Sequence, residues 1–470
     1  MGSHFLISIL IIIISFAASF SSDAAEELKS LGRCDLPAIK KFDQKRDKIA
    51  IVGAGITGLS IARKLISEKV PPGNITIIEK EKNAGGKVSS LKYKNNNYDL
   101  GALFILPRFD EINKLMTEFG LTSRVVDEMI SVDVNQVENP HCSNLNEQEK
   151  TELKNQSKRY LQQYSSYSLS DKTWLEFIKE NNLELLDKGN LFWISGCGFN
   201  TYKANSTNAS IISQYIMTPA NLEKPALPQL VNEGFQVLLK RMAEDLKQKG
   251  VGFKFNTLVK KIIRNSSRKM KIEAIRNKKK IILNPDHIFY TADLSYLPTM
   301  INGLQECEIN TYNNIIHTDY RSILVEAKEI PKFRDQSLLI MIHPYIDGKN
   351  VNGKLEDYFN EPVVAVKPHR HTNVYLLYLF GLEDSNNVEI KKNVIQFFKK
   401  LNVDSKVLAT KKWKYFPRVS GDLKVRQENL LKLHGVGGLW LAGEAFTFPA
   451  TDFLYLSSQK MVNLFLENKN

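Results

Sequence analysis

Gly53-Ala54-Gly55-Ile56-Thr57-Gly58 places three glycines in a G-x-G-x-x-G spacing, and Glu79 follows 21 residues after the last of them. Each position has a mechanical use. Gly53 permits a tight turn, Gly55 lets backbone approach a pyrophosphate, and Gly58 lets a helix pack closely on a strand. An acid at the offset of Glu79 accepts hydrogen bonds from ribose hydroxyls. Together these residues would hold a dinucleotide, its phosphates set against the free N–H groups and positive dipole end of a helix. Ile56, Thr57 and Lys80 complete the candidate contacts. No Gly-Lys-[Ser/Thr] follows at the spacing of a phosphate-binding P-loop, which excludes that alternative.

The chemistry requires elements that hold these residues in place, and the flanking sequence supplies them. Residues 48–52, KIAIV, read as a buried parallel strand. The run LSIARKLISEK reads as a helix with Leu59, Ala62, Leu65 and Ile66 on one face. Pro71-Pro72-Gly73 ends it, and residues 75–78, ITII, form a second strand that delivers Glu79. A lone glycine motif is weak evidence, whereas strand, turn, helix, strand and acid in this order are specific.

Further words follow: Gly85-Gly86-Lys87, then Tyr98-Asp99-Leu100-Gly101-Ala102, and near the carboxy terminus Gly438-Leu439-Trp440-Leu441-Ala442-Gly443-Glu444. With the glycine motif, they resemble the FAD-binding half of the flavin amine oxidase superfamily, which also contains phytoene desaturases, protoporphyrinogen oxidases and flavin-dependent fatty-acid isomerases. The resemblance implies an α/β fold: a discontinuous Rossmann-type FAD-binding domain (47–104, 230–295 and 430–467) with an inserted mixed α+β substrate domain (105–229 and 296–429). It implies FAD as cofactor, with Gly86 and Lys87 beside the flavin pyrophosphate and ring. Gly443 and Glu444 would lie at the ribityl–phosphate region, and the Val259 backbone at the adenine. The family often carries Arg where this chain has Lys87; lysine keeps the charge without the fork geometry. No cysteine sits in a recognisable flavin-attachment motif, so FAD is expected to be non-covalent.

A flavin carries the redox chemistry itself and the protein supplies orientation and electrostatics. The resemblance therefore implies an FAD-dependent oxidoreductase that needs neither a triad nor a metal. His369 and His371 form an H-x-H without the further ligands of a metal site, and read as a loop pair. Amine oxidases frame their substrate with aromatic rings, one from a Y-x-x-G-A context after the Ala-Gly strand. Here residues 446–459, FTFPATDFLYLSSQ, lack that glycine, and Phe453 or Tyr455 would supply the ring. The words Trp413-Lys414-Tyr415-Phe416-Pro417-Arg418-Val419-Ser420, Thr451-Asp452 and Ser458-Gln459 are similar to double-bond isomerases of polyunsaturated fatty acids, as is Gly196-Cys197-Gly198-Phe199. Such a site needs an apolar tunnel and a cation for a carboxylate, with Arg108 and Arg418 as candidates. Trp413, Tyr415 and Phe416 fit core packing, with the tunnel wall as the alternative. The leading reading is hydride transfer from an apolar or amphipathic small molecule to flavin. A redox-neutral isomerase, a secreted amine or amino-acid oxidase, and a binding protein without turnover stay open.

Composition bounds the rest. A hydrophobic fraction of 43% over 470 residues supports a large core and excludes wholesale disorder, and four cysteines exclude a disulfide scaffold. The formal charge of +13 concentrates between Lys260 and Lys280, with ten basic residues and one acid, Glu273. That run alternates apolar and basic residues and reads as a β-meander with a solvated face, contact with an anionic membrane surface being the sharper alternative. No zinc-knuckle spacing or basic recognition helix points to nucleic acid. Residues 5–20, FLISILIIIISFAASF, carry no charge and precede small residues near Ala24 and Ala25. Residues 1–25 therefore read as a signal peptide to the secretory pathway or outside the cell, with a membrane anchor through 5–20 as the alternative. In that compartment Cys34, Cys142, Cys197 and Cys307 meet oxidising conditions, and sequons at Asn74, Asn155, Asn205, Asn208 and Asn265 become glycosylation candidates. Oligomeric state is not legible from these patterns.

Overall fold

The computed structural model describes residues 36–133, 146–164, 174–185, 227–264, 270–329, 333–343, 362–381, 387–419 and 429–468. The apolar amino-terminal segment, Cys34, Cys142, residues 196–199, the side chains of Phe416 and Arg418, and the sequons at Asn205, Asn208 and Asn265 lie outside that description.

Five short apolar runs pair into a parallel sheet in the order Leu439–Leu441, His287–Tyr290, Ile49–Val52, Ile75–Ile78, Gly252–Lys254. The central strands are buried at every position, as parallel strands covered on both faces must be. The sheet draws its strands from residues 47–104, 230–295 and 430–467. Helix Ile56–Ser67 leaves the central strand and carries the carboxy-terminal helix Thr451–Leu466 against it. The chain order reverses at Ile49–Val52, so a crevice opens beyond the carboxyl ends of the strands there, where open α/β sheets bind ligands.

The basic segment forms the antiparallel meander Thr257–Arg264, Met270–Arg276 and Lys279–Leu283. Ile262, Ile272 and Ala274 are buried on its inner face, while Lys260, Lys279 and Lys280 are exposed.

A second, six-stranded sheet runs Ser405–Val419, Ile315–Ala327, Val374–Gly381, Pro362–Lys367, Leu338–His343, Glu128–Asp133. Helix Asn387–Lys400 covers one face, with Ile390, Val394 and Phe398 on Ile323, Val325 and Leu377. Runs such as FDEINKLMTEFG make residues 105–230 read as mainly helical, and the stretch does give helices Asp110–Glu118, Glu147–Tyr164 and Trp174–Asn181, but it also supplies the edge strand Glu128–Asp133. That strand pairs in parallel with Leu338–His343, a partner more than 200 residues away that no local pattern reveals.

Asn74, the first sequon, is a structural residue. It is buried, its side-chain oxygen accepts from Lys48 Nζ at 2.6 Å and its amide donates to the Lys45 carbonyl at 3.0 Å. Cys307 is disulfide-bonded, with its partner outside the described residues.

A buried ion pair joins the meander to the helix Glu306–Asn313. Arg264, at the end of a meander strand, donates to both oxygens of Glu308 at 2.8 and 2.7 Å, and their side chains are 7% and 1% exposed. Glu308 also caps its own helix, accepting the Gln305 N–H at 2.9 Å. Removing one member leaves an uncompensated buried charge. Glu308→Ala is expected to cost roughly 3–5 kcal/mol, read as a lowered urea midpoint; a midpoint within error of wild type would show the pair to be dispensable.

Candidate functional site

Three backbone segments meet with almost no side chains between them. A Cβ on Gly58 would stand 2.0 Å from the Gly53 carbonyl oxygen, so only glycine lets the helix start this close to the strand. A Cβ on Gly101 would stand 1.8 Å from the Lys87 oxygen. Ala102 and Leu100 donate to the Lys87 and Ser89 carbonyls at 2.8 and 2.7 Å, stitching residues 99–102 to the Gly85-Gly86-Lys87 loop. Gly53, at φ +113°, needs its left-handed backbone and faces Thr291 Oγ1.

Gly55 is different. Its φ of −80° suits any residue, and a Cβ there would meet nothing nearer than Gly86 Cα at 3.9 Å. The fold does not require glycine at this position; the missing side chain keeps a cradle open between Gly55 and Gly86. The helix beyond it has no side-chain cap and no acid in its first turn, so its leading N–H groups face the same space. A pyrophosphate fits this combination of open cradle and unpaired donors.

Glu79 is buried at the end of its strand, and its carboxylate accepts the Ala54 N–H at 2.8 Å and the Glu81 N–H at 2.9 Å. It therefore fixes the glycine turn as well as facing the cavity. A second network positions the Gly85-Gly86 loop. Gln236 donates to the Ala84 carbonyl at 2.9 Å and accepts from Ser90 N at 3.1 Å; Asp99 accepts the Phe235 N–H at 3.0 Å and the Ser90 hydroxyl. Full burial pushes the Asp99 carboxyl up to about 7, against the lowering effect of those donors.

These elements line one cavity of about 1490 Å3, beyond the roughly 300–1,000 Å3 of a single small-molecule site. Gly53, Gly55, Ile56, Thr57, Glu79, Lys80, Gly86, Lys87, Val259, Gly443 and Glu444 all line it; Gly58 does not, because its role is the helix–strand approach. Lys87 and Glu444, 357 residues apart, form an ion pair at 2.5 Å, with the Lys87 ammonium 5.3 Å from the Tyr415 ring centre. That contact was not legible in the sequence.

The far wall comes from the six-stranded sheet. Tyr320 stacks between Tyr378 and Tyr415, each 5.5 Å away at 11° and 25°. Trp413 donates to the Leu100 carbonyl at 2.9 Å. Phe104, Leu106, Phe109, Val364 and Leu454 complete an apolar chamber. Trp413 and Tyr415, expected in the core, are therefore chamber wall, lining the cavity together with their strand neighbours Lys412, Lys414 and Pro417. Lys411, two residues before Trp413, lines it too and was not singled out in the sequence.

Other expectations need correction. Phe453 and Tyr455 do not line the cavity. Helix Thr451–Leu466 turns Phe453 onto Phe109 and Phe448, with ring centres 6.3 and 6.0 Å away, and presents Thr451 and Leu454 to the chamber instead. Phe446 and Phe448 are also absent from the lining, so no aromatic ring of residues 446–459 faces the cavity. Arg108 is half-buried, outside the lining and engaged within the chain. His369 lies between Arg124 at 3.0 Å and the Asn97 carbonyl at 2.9 Å, whereas His371 is exposed beside Asp335 at 3.1 Å. The two imidazoles hold different loops and do not converge.

Two of the acids lining the cavity, Glu444 and Asp293, are paired with cationic neighbours. Burial pushes the Asp293 carboxyl up, but His317 at 3.2 Å and the Ser295 hydroxyl and N–H outweigh it and hold it at about 2.

The family model for flavin containing amine oxidoreductases matches residues 56–318. A 4,4'-diapophytoene desaturase of Staphylococcus aureus is 37% identical over 59 residues, 13% of this chain and 11% of that enzyme, so the match spans about a tenth of the desaturase. Over 90% of this chain the fold is similar to a CLA-producing fatty acid isomerase from P. acnes (TM-score 0.75, 19% identity, all of that chain covered). It is also similar to a putrescine oxidase bound to putrescine (TM-score 0.63, 14% identity, 99% of that chain covered).

The two glycines make a paired test. Gly55→Val should fold with an apoprotein melting temperature near wild type and carry no bound dinucleotide, whereas Gly58→Ala should fold poorly. Full cofactor content in Gly55→Val would reject the cradle.

Proposed function

The chain belongs to the family of flavin-containing amine oxidoreductases, and from that membership we propose that it takes a hydride from an apolar or amphipathic molecule. It is an FAD-dependent oxidoreductase acting on a small-molecule substrate. When bound, FAD supplies the hydride acceptor.

The proposed contacts follow the cavity lining. The N–H groups of Ile56 and Thr57 and the open face of Gly55 would receive the pyrophosphate. Glu79 would take the adenosine ribose with Lys80 beside it, and the Val259 backbone the adenine. Gly86, Lys87, Gly443 and Glu444 would flank the ribityl end, the Lys87–Glu444 pair holding the two loops at a fixed separation. No covalent attachment is proposed.

The observation that carries the substrate reading is the wall of the chamber. It consists of Phe104, Leu106, Phe109, Tyr320, Val364, Tyr378, Trp413, Tyr415 and Leu454, with lysines at its margins. A small free amine would need an aromatic cage or an available carboxylate. The segment after the Ala-Gly strand contributes no ring, the Tyr415 and Trp413 rings of the wall already face the Lys87 and Lys411 ammonium groups, and Glu444 is paired with Lys87. An apolar tail gains burial against this wall, at about 25 cal/mol per Å2 of area removed from water. A redox-neutral double-bond isomerase is the second reading. It uses the same chamber and is favoured by the extent of the fold likeness to the fatty acid isomerase.

Export through residues 1–25 is part of the proposal, supported by the disulfide at Cys307, since disulfides persist in oxidising compartments. Protein recovered from its native host should begin near residue 25; an intact Met1 or Gly2 start rejects cleavage. For the substrate, anaerobic mixing with unsaturated fatty acids should bleach or perturb the flavin spectrum. Net oxidation would mark the first reading, a shifted double bond without net oxidation the second. Rapid flavin reduction by small primary amines with no response to any lipid would overturn both.

A further inference from the structure

The lysines around the cavity fall into three groups. Lys87 pairs with Glu444 and Lys412 with Asp319, both at 2.5 Å, and Lys414 stands 3.9 Å from Asp293. Lys80, Lys82, Lys240 and Lys260 are exposed and solvated. Lys411 belongs to neither group. It is half-buried and lines the cavity, its ammonium 4.3 Å from the Trp413 ring centre and donating to the Ser89 hydroxyl at 2.7 Å. An ammonium carries three donors, and here one meets a neutral hydroxyl while the ring face supplies the other stabilisation. Among the described residues no carboxylate stands at ion-pair distance from it. Desolvation by burial lowers its pKa, opposed by the more distant Glu81.

A half-buried cation without an acid partner is costly unless a ligand brings the opposite charge. Ser89 adjoins the loop that carries Gly86 and Lys87, and Trp413 is chamber wall, so Lys411 stands where the cofactor half and the chamber meet. We propose that Lys411, oriented by Ser89 and Trp413, is an anion-binding residue of this cavity whose ligand is an anionic oxygen group, either the carboxylate of an amphipathic substrate or a phosphate of the cofactor. The carboxylate source rests on the substrate reading above; the phosphate source does not. In the carboxylate case Lys411 takes the role expected of Arg108, which lies outside the lining.

Lys411→Met keeps an unbranched stem against Trp413 and removes the charge, and Lys411→Arg restores it. The holoenzyme is titrated with linoleate and with linoleyl alcohol, read by the flavin spectrum, and the apoprotein with FAD, read by fluorescence quenching. Melting temperatures confirm folding. If the ligand is the carboxylate, Lys411→Met loses about 10-fold or more in linoleate affinity with little change for the alcohol, as expected for a charge-assisted hydrogen bond, and Lys411→Arg recovers it. If the ligand is a phosphate, FAD affinity falls by a similar factor and the linoleate-to-alcohol ratio is unchanged. Unchanged FAD affinity together with an unchanged ratio overturns the proposal. Should neither lipid perturb wild-type flavin, the substrate reading fails, and the FAD titration alone decides Lys411.

Discussion

The molecule is organised around places where backbone must touch backbone. Gly58 against the Gly53 carbonyl and Gly101 against the Lys87 carbonyl leave no room for a single extra carbon. Those contacts fix three loops, drawn from the first strand, the Gly-Gly segment and residues 99–102, into one floor. Side chains excluded from the floor cannot fill the crevice above it, so a cavity survives where core packing would otherwise close it. Gly55 then acts on a different link of the chain. It is spared a side chain although nothing in the protein would collide with one. The first two glycines explain how the floor forms, and the third explains what the floor is for.

The supports around the floor are polar, and buried or half-buried, which makes them exacting. Glu79 ties the glycine turn to the second strand, Gln236 and Asp99 tie the Gly-Gly loop to the next helix, and Lys87 and Glu444 close the far side. Asp452 joins the set: it accepts the Glu111 and Ile112 N–H groups at 3.0 Å, so the carboxy-terminal helix caps the first helix of the insertion. Each tie joins separate segments of the chain, and each has a charge or amide, buried or half-buried, that would lose its partner if the segments parted. The discontinuous sheet is thereby held in one register by interactions that also shape the cavity.

What the sequence revealed follows from how local each signal is. The strand–glycine–helix–strand–acid unit spans about thirty residues and is legible because turn geometry, helix periodicity and strand burial are short-range. The parallel sheet could be assembled from three segments because the words around Gly86, Gly101 and Gly443 resemble those of a known family. Side-chain direction was harder. Phe453 and Tyr455 lie in the expected segment, yet the rotation of their helix on Ile56–Ser67 turns them away from the cavity. Trp413 and Tyr415 look like core residues in any window, and only the pairing of Ser405–Val419 with Ile315–Ala327 shows that their face is a wall. The edge strand Glu128–Asp133 was missed for the same reason, since its partner is remote.

The charge of the chain also divides once the fold is known. Much of the surplus lies on the meander, where water solvates it and alternation with apolar residues is enough to explain it. A smaller part enters the cavity on the strand that brings the aromatic wall: Lys411 lies beside Trp413, while Lys412 and Lys414, which also line the cavity, are drawn to Asp319 and Asp293. A strand that alternates lysine with aromatic rings presents a cation beside an apolar surface at a spacing set by the pleat. Such a wall favours a ligand with a charged end and a hydrophobic body over a compact cation, which would meet like charge at the margin. The same alternation that decides which residues pack therefore decides what the chamber can hold.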